Sequence, residues 1–397
     1  MASIREDFKM STQTNRRNFL LTSAAAAASA TMAAAADGPE VRTAFIGVGR
    51  RGNRLLDLTL AEKNVRVTAI CDTDPQARDG ALSKASRFNP KSVTEWRQIL
   101  DLKDVDAVKI ATPCYLHAEM AAACLEAGKY VYCEKPVGIT PEQVALVLKA
   151  AKGSKAFLQI GQQLRYFPSV REVIKRLHED KILGQIFVIR AQRNSTPAKP
   201  GSQTRQGSNM ERLRPEWYED VKQSGDLIVE NAVHNIDCCN WLADSRPESA
   251  YGHGKLYLPK PMPAGKLMMD GFDVEYIYQN DTHMQYTQLY LHPRKMKVVP
   301  NNQWYTIYGE KGAVYFTHDA ATFYDMYGEA EPLELVPKEM QEEEDFAIPD
   351  FYGCIREKRQ PFADVRVAAV AALTAIMGRE AIYKRRMVTW KELGVEV

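Results

Sequence analysis

Val41-Arg42-Thr43-Ala44-Phe45-Ile46-Gly47-Val48-Gly49-Arg50-Arg51-Gly52 decides the fold. Its first residues read as a buried strand, and its glycines are spaced Gly-x-Gly-x-x-Gly where the strand gives way to a helix over 51–62. In that setting each glycine has a mechanical task. Gly47 permits the tight turn, Gly49 lets the backbone approach a pyrophosphate, and Gly52 lets the helix pack closely on the strand, with the phosphate charge at the helix N-terminus. Working outward, strands over 65–71, 107–111, 130–133 and 156–161 alternate with helices over 75–88, 117–127 and 141–151. That rhythm predicts a doubly wound parallel sheet in an α/β protein. A glycine-rich turn also occurs in α/β folds without a nucleotide. Asp72, twenty residues beyond Gly52 at the end of the second strand, favours the nucleotide, because a carboxylate there accepts hydrogen bonds from ribose hydroxyls. It also repels a 2'-phosphate, so NAD is expected, with NADP kept open by Arg50, Arg51 and Arg78.

After residue 161 the pattern changes. A helix near 169–178 leads into runs with period-2 alternation and many aromatics at 185–192, 249–258, 273–278, 284–292, 303–308 and 313–317. They predict an open, mostly antiparallel sheet in a second α/β domain, closed by a helix over 365–384. The 397 residues exceed what one hydrophobic core supports, so a division into 37–160 and 161–397 is expected. With 52 basic against 50 acidic groups, the chain lacks the one-sided field that nucleic-acid binding uses. The stretch 194–216 carries Pro197, Pro200, Pro215, Gly201 and Gly207 beside Arg193, Lys199, Arg205, Arg212 and Arg214. It reads as a lid over an anionic or polyhydroxylated ligand, or as a solvated loop or subunit contact. The acidic run 342–345 reads as a loop or helix start.

The net charge of +2 belongs to one end. Residues 1–36 hold Arg5, Lys9, Arg16 and Arg17 against Glu6 and Asp7, and without them the basic and acidic groups balance. A basic stretch, an alanine-rich apolar run and the small residues Ala34-Ala35-Ala36 have the layout of a cleaved export signal. Arg16-Arg17-Asn18-Phe19-Leu20 resembles the twin-arginine signal, although Asn15 stands where Ser or Thr is usual, and Met10 is an alternative start. The expectation is a folded protein passed through the twin-arginine translocase into the periplasm, with no stable membrane insertion of the mature chain. A helical extension or membrane anchor is the alternative. The seven cysteines, odd in number and set in apolar runs, read as buried thiols rather than disulfides. The scattered histidines give no metal-ligand spacing.

Two further motifs fall at the C-terminal ends of predicted parallel strands: Thr112-Pro113-Cys114-Tyr115-Leu116-His117 and Glu134-Lys135-Pro136. With Gly161-Gln162-Gln163-Leu164-Arg165-Tyr166, Glu230-Asn231-Ala232-Val233-His234-Asn235-Ile236-Asp237 and Gly378-Arg379-Glu380-Ala381-Ile382-Tyr383, they are similar to the glucose-fructose oxidoreductase, inositol dehydrogenase and rhizopine catabolism family. The resemblance implies an NAD-binding Rossmann domain joined to a substrate-binding and oligomerisation domain, as a homodimer or homotetramer. It implies that Lys135 bonds the reacting hydroxyl and that His234 moves its proton. Gly47, Gly49, Arg50, Arg51, Gly52, Asp72, Thr112, Pro113, His117, Glu134 and Lys135 are expected to face the cofactor. The family's Asp-x-Gly-x-His is here Glu230-Asn231-Ala232-Val233-His234, so Glu230 is expected to orient His234, touch substrate or shift the base. Arg165, Tyr166, Asn231 and Asp237 are candidate substrate contacts, each with packing as the alternative. Trp217 reads as a stacking platform or as core.

The chemistry agrees with that constellation, since oxidising a secondary alcohol removes a hydride and a hydroxyl proton and needs a base within hydrogen-bond reach. The expected function is an NAD(P)-dependent oxidoreductase acting on a carbohydrate or cyclitol with its cofactor retained. An NAD-dependent glycosidase using transient oxidation is the alternative, and a non-catalytic sugar or nucleotide sensor is a third.

Overall fold

The computed structural model describes residues 38–197, 216–258, 268–296, 299, 302–317, 319–337, 340 and 346–397. The signal-like segment, most of the lid-like stretch and the acidic run 342–345 lie outside the described residues.

Six strands form the first sheet: β1 (Val41–Ile46), β2 (Val65–Cys71), β3 (Lys91–Val93), β4 (Ala107–Ile110), β5 (Tyr130–Cys133) and β6 (Leu158–Ile160). All are parallel, in the order β3-β2-β1-β4-β5-β6. The central strands are almost wholly buried, because helices cover both faces of a parallel sheet. The crossovers include α1 (Arg50–Ala61), α2 (Pro75–Lys84), α3 (His117–Glu126) and α4 (Pro141–Gly153). Local chemistry starts two of them. Asp74 accepts from Gln76 N ahead of Pro75, and Thr140 accepts from Gln143 N ahead of Pro141. The predicted helix over 75–88 stops at Lys84, and a 3-10 turn over Ser86–Phe88 ends on left-handed Asn89. Strand order reverses between β1 and β4, so the crevice at their C-terminal ends is the ligand edge of such a sheet.

The second sheet contains β7 (Ile186–Asn194), β8 (Pro247–Lys255), β9 (Gly271–Tyr278), β10 (His283–Leu289), β11 (Gln303–Gly309), β12 (Gly312–Phe316), β13 (Ala321–Asp325), β14 (Leu333–Glu334) and β15 (Val388–Thr389). Its order is β14-β13-β12-β11-β7-β10-β9-β8-β15, antiparallel except between β7 and β10. Along β9 buried and exposed residues alternate, so one face is core and the other open. The strand expected over 284–292 ends at Leu289, with one last in-register bond from Tyr290 N to Asp270 O. Between the sheets run α5 (Pro168–His178), single turns at Glu216–Glu219 and Val221–Ser224, α6 (Asp226–Glu230), α7 (Val233–Ala243), α8 (Ala347–Glu357) and α9 (Val365–Lys384). α9 touches α4 and β6 on one side and α7 and β8 on the other, tying the sheets together.

α8 crosses the expected division at 160/161. Its aromatic face returns to the first sheet, where Phe351 meets Tyr132 edge-on at 5.9 Å and Tyr352 Oη lies 3.2 Å from Thr43 Oγ1. Arg356 donates to the Lys63 and Asn64 carbonyls. These rings enclose Lys109 of β4, which is fully buried with Nζ 4.7 Å from the Tyr352 ring centroid and no hydrogen-bond partner among the described residues. All seven cysteines are buried free thiols, as the sequence led one to expect.

Candidate active site

The glycine loop between β1 and α1 is built as its spacing requires. Gly47 has φ +84°, and a Cβ there would meet Ala111 O at 2.7 Å. A Cβ on Gly52 would lie 2.0 Å from Gly47 O, so the helix start sits directly on the turn. Above Gly49 the space is open. Gly49 caps α1 with no side-chain hydrogen bond, and the first turn carries no acid. A bare helix N-terminus beside open space fits a pyrophosphate, whose charge the N–H groups and helix dipole favour. Asp72 braces the loop: Oδ2 accepts from Val48 N at 2.7 Å and Oδ1 from Asp74 N at 2.9 Å. Carboxylate lone pairs remain for ribose hydroxyls. Gly52→Ala is expected to weaken NADH binding at least tenfold and to destabilise the fold by about 1–3 kcal/mol; fluorescence titration and thermal unfolding read the two effects, and unchanged affinity would remove the loop from the cofactor site.

The arginines beside this loop divide. Arg78 donates to Asp72 O at 3.0 Å and stays next to the ribose corner. Arg50 is exposed at the start of α1. Arg51 turns the other way, with Nε 2.7 Å from Oε1 of buried Glu134. There it braces Glu134, the residue before Lys135. His117 is likewise a strap rather than a wall of the crevice. It is buried, and its ring nitrogens lie 2.8 Å from Thr112 O and 2.7 Å from Pro136 O, linking the Thr112-Pro113 step to the Lys135-Pro136 step. The Lys135–Pro136 peptide is cis.

Lys135 and Glu230 meet across the two sheets' territories. Lys135 Nζ lies 2.8 Å from Glu230 Oε1 and also donates to Glu230 O. Both side chains are nearly buried, at 12% and 9% exposure. Burial is the largest single influence and lowers the ammonium's pKa, but the attractions of Glu230, Cys114 and Glu134 together outweigh it and the net shift of Lys135 is upward. Lys135 is therefore a standing cation and donor, not a base. The helical run expected to join Glu230 to His234 is interrupted by a short turn. α6 ends at Glu230, Asn231 N and Ala232 N both turn to Leu227 O, and α7 begins at Val233. Glu230 thus faces Lys135, while His234 opens the next helix.

Three expected substrate contacts are otherwise engaged. Arg165 Nε and Nη2 bind Asp237 Oδ2 and Oδ1 at 2.8 and 2.9 Å, and the guanidinium lies 4.9 Å from the Trp241 ring centroid. Asp237 is buried, so this pair locks α7 to the 3-10 turn Gln163–Tyr166. Tyr166 is buried too, its hydroxyl accepting from Ala363 N beside Phe362. Asn231 remains at the cleft but is held: Oδ1 accepts from Gln288 Nε2 at 2.9 Å and Nδ2 donates to Tyr218 Oη. Trp217 meets Tyr218 edge-on at 5.7 Å, half-buried.

Around Asn231 and Asn235 lies a polar layer that the sequence reading missed. Tyr286 Oη donates to Gln288 Oε1, and Asn235 Nδ2 donates to Gln303 Oε1 and Tyr305 Oη. Its signal was a polar residue in a core-facing register: Gln288 follows buried Met284 and Tyr286 at period two along β10.

Fold and site together define a two-domain chain with a dinucleotide-binding Rossmann domain and a second α/β domain. Residues 41–162 match the oxidoreductase family with an NAD-binding Rossmann fold, and residues 172–315 match the GFO/IDH/MocA C-terminal domain. The chain belongs to the GFO/IDH/MocA family. It is 27% identical over 222 residues to an inositol 2-dehydrogenase of Salmonella typhimurium, covering 55% of this chain and 58% of that protein. The matched stretch thus spans little more than half of the curated relative. A glycosyl hydrolase family 109 protein of Stenotrophomonas maltophilia is 40% identical over 146 residues, 34% of this chain and 32% of that one. In fold, levoglucosan dehydrogenase in complex with NADH and L-sorbose superposes with a TM-score of 0.70 at 21% identity, over 90% of this chain and all of that one.

Proposed function

We propose that this protein interconverts a secondary alcohol and a ketone on a sugar, sugar derivative or cyclitol, with NAD as hydride carrier. The observation that carries this is the buried Lys135–Glu230 pair, set at the C-terminal end of β5 in the crevice opened by the strand reversal. NAD, when bound, accepts or returns the hydride. Lys135 donates to the reacting hydroxyl oxygen and polarises it; Glu230 keeps that ammonium protonated and aimed. His234 takes the hydroxyl proton on oxidation and returns it on reduction. The names of the inositol and levoglucosan relatives support a polyhydroxylated substrate. The same reading has residues 1–36 exporting the folded protein to the periplasm as a homo-oligomer that keeps its cofactor bound, because a cofactor released there would be lost.

The test is direct. Denaturing the purified protein and identifying the released nucleotide by mass spectrometry should yield NAD or NADH, and a sugar and cyclitol panel should reduce or oxidise it. No nucleotide and no hydride transfer would overturn the reading. The likeness to a glycosyl hydrolase family 109 protein favours a second reading, in which hydride leaves and returns within one turnover. Release of an aglycone without net NADH would select it.

A further inference from the structure

The motif Gly378-Arg379-Glu380-Ala381-Ile382-Tyr383 closes α9, away from the reacting groups, and the chemistry above does not use it. Its contacts converge on the two segments that bring Lys135 and Glu230 together. Gly378 lets α9 lie against α6: a Cβ there would meet Tyr276 Oη at 2.1 Å and Ile228 Cδ1 at 2.9 Å. Arg379 Nη1 donates to Ile139 O at 2.9 Å and to Gly225 O at 3.3 Å. Ile139 belongs to the loop that carries Lys135, and Gly225 opens the helix that carries Glu230. One guanidinium therefore staples the two segments.

The staple closes over a contact with no slack. Gly225 has φ +84°, and a Cβ there would come 2.9 Å from the Ile139 Cβ. Asp226 follows at φ +74°, an unfavourable conformation for a residue with a Cβ. Its carboxylate holds that geometry: Oδ1 accepts from Leu227 N and Met269 N, each at 2.7 Å, and Oδ2 accepts from Tyr383 Oη. The last turns of α9 thus fix both the start of α6 and its distance from the Lys135 loop.

We infer that Arg379 and Tyr383 are positioning residues that set the Lys135–Glu230 contact and so tune turnover without touching substrate or cofactor. Misplacing a reacting group by about 1 Å costs on the order of 100-fold in rate, whereas among the described residues the hydrogen bonds of Arg379 and Tyr383 run to Ile139, Gly225, Glu380 and Asp226 and not to the glycine loop.

Because this deepens the dehydrogenase reading, its test needs a readout independent of turnover. Arg379→Met, Arg379→Lys and Tyr383→Phe are each probed by labelling with an amine-acylating reagent, read at Lys135 by mass spectrometry. In the native protein Lys135 should label far more slowly than surface lysines such as Lys149. Arg379→Met is expected to raise Lys135 labelling at least tenfold, and to lower kcat about 100-fold with KM and NADH affinity nearly unchanged. Arg379→Lys, which retains a donor to the carbonyls, should recover part of both effects. Tyr383→Phe, a milder change on a half-exposed ring, serves if Arg379→Met does not fold. Labelling at Lys135 and kcat both unchanged in the folded variants would overturn the inference. Raised labelling in a protein whose wild type transfers no hydride would uphold the clamp and reject the dehydrogenase reading.

Discussion

Lys135→Met is expected to lower kcat about 1000-fold while the purified protein still carries its nucleotide. Donors aimed at developing charge in a desolvated site are worth on the order of 100- to 1000-fold each, and Lys135 is a nearly buried ammonium held by a carboxylate at 2.8 Å. Methionine keeps the stem's volume and removes the donor. It also leaves Glu230 buried without its cation, which destabilises by about 3–5 kcal/mol for a pair of this kind. Two effects are therefore superposed, and Lys135→Met combined with Glu230→Gln separates them. The double variant should regain most of the lost thermal stability, because no bare carboxylate remains, and none of the lost rate. Stopped-flow hydride transfer and thermal unfolding read the two quantities. A single variant that keeps a tenth of wild-type turnover would show that Lys135 does not polarise the reacting oxygen.

The second large effect lies away from the chemistry. Lys109→Met is expected to stabilise the protein at neutral pH by roughly 4 kcal/mol. Lys109 sits in β4 among Tyr132, Phe351 and Tyr352, fully buried with no hydrogen-bond partner among the described residues, and burial pushes its pKa down to about 7. Glu62, just beyond the C-terminal end of α1, is the main opposing influence but does not offset the desolvation. In the unfolded chain a lysine titrates near ~10.4. Between the two values the unfolded state binds more protons, so this group's contribution to stability rises as pH climbs from about 7 toward ~10 and is lowest below pH 7. Methionine matches the length of the stem, keeps the contacts with the rings and removes the pH dependence. Urea unfolding of both proteins across that range should give a stability difference largest below pH 7 and shrinking at alkaline pH. A constant difference, or a destabilised variant, would mean that the ammonium is better accommodated than its enclosure suggests.

That buried lysine also shows where sequence stops informing. In Ala107–Ile110 it reads as a polar residue in an apolar strand, with nothing to say what encloses it. Two of the three enclosing rings come from α8, more than two hundred residues later in the chain, and that helix was foreseen only as a possible start at the acidic run 342–345 although its apolar residues repeat at helical spacing. The strand-to-helix rhythm of the first domain was legible because each crossover is local: an apolar run, a capping Asp74 or Thr140, a proline at the first helical turn. The alternation along β9 and β10 was legible for the same reason, and it gave the open sheet.

Site residues separate along the same line. Gly47, Gly52 and Asp72 were readable because their tasks are set by backbone geometry within one β-α-β unit. The partners of Arg51, Arg165, Asp237 and Tyr166 were not, since a charged or aromatic side chain in a motif looks alike whether it faces a ligand or closes on Glu134, Asp237 or Ala363 from another segment. The sequence by itself determined the two-domain α/β plan, the glycine loop and the presence of a lysine and a histidine suited to alcohol chemistry. Only the tertiary structure decided that Glu230 pairs with Lys135, and that α9 staples their two segments together. Hydrophobic period and backbone sterics act over a few residues and leave their mark in the chain. Pairing of buried charges depends on which distant segments share a desolvated space, and that is fixed only when both sheets have folded around α9.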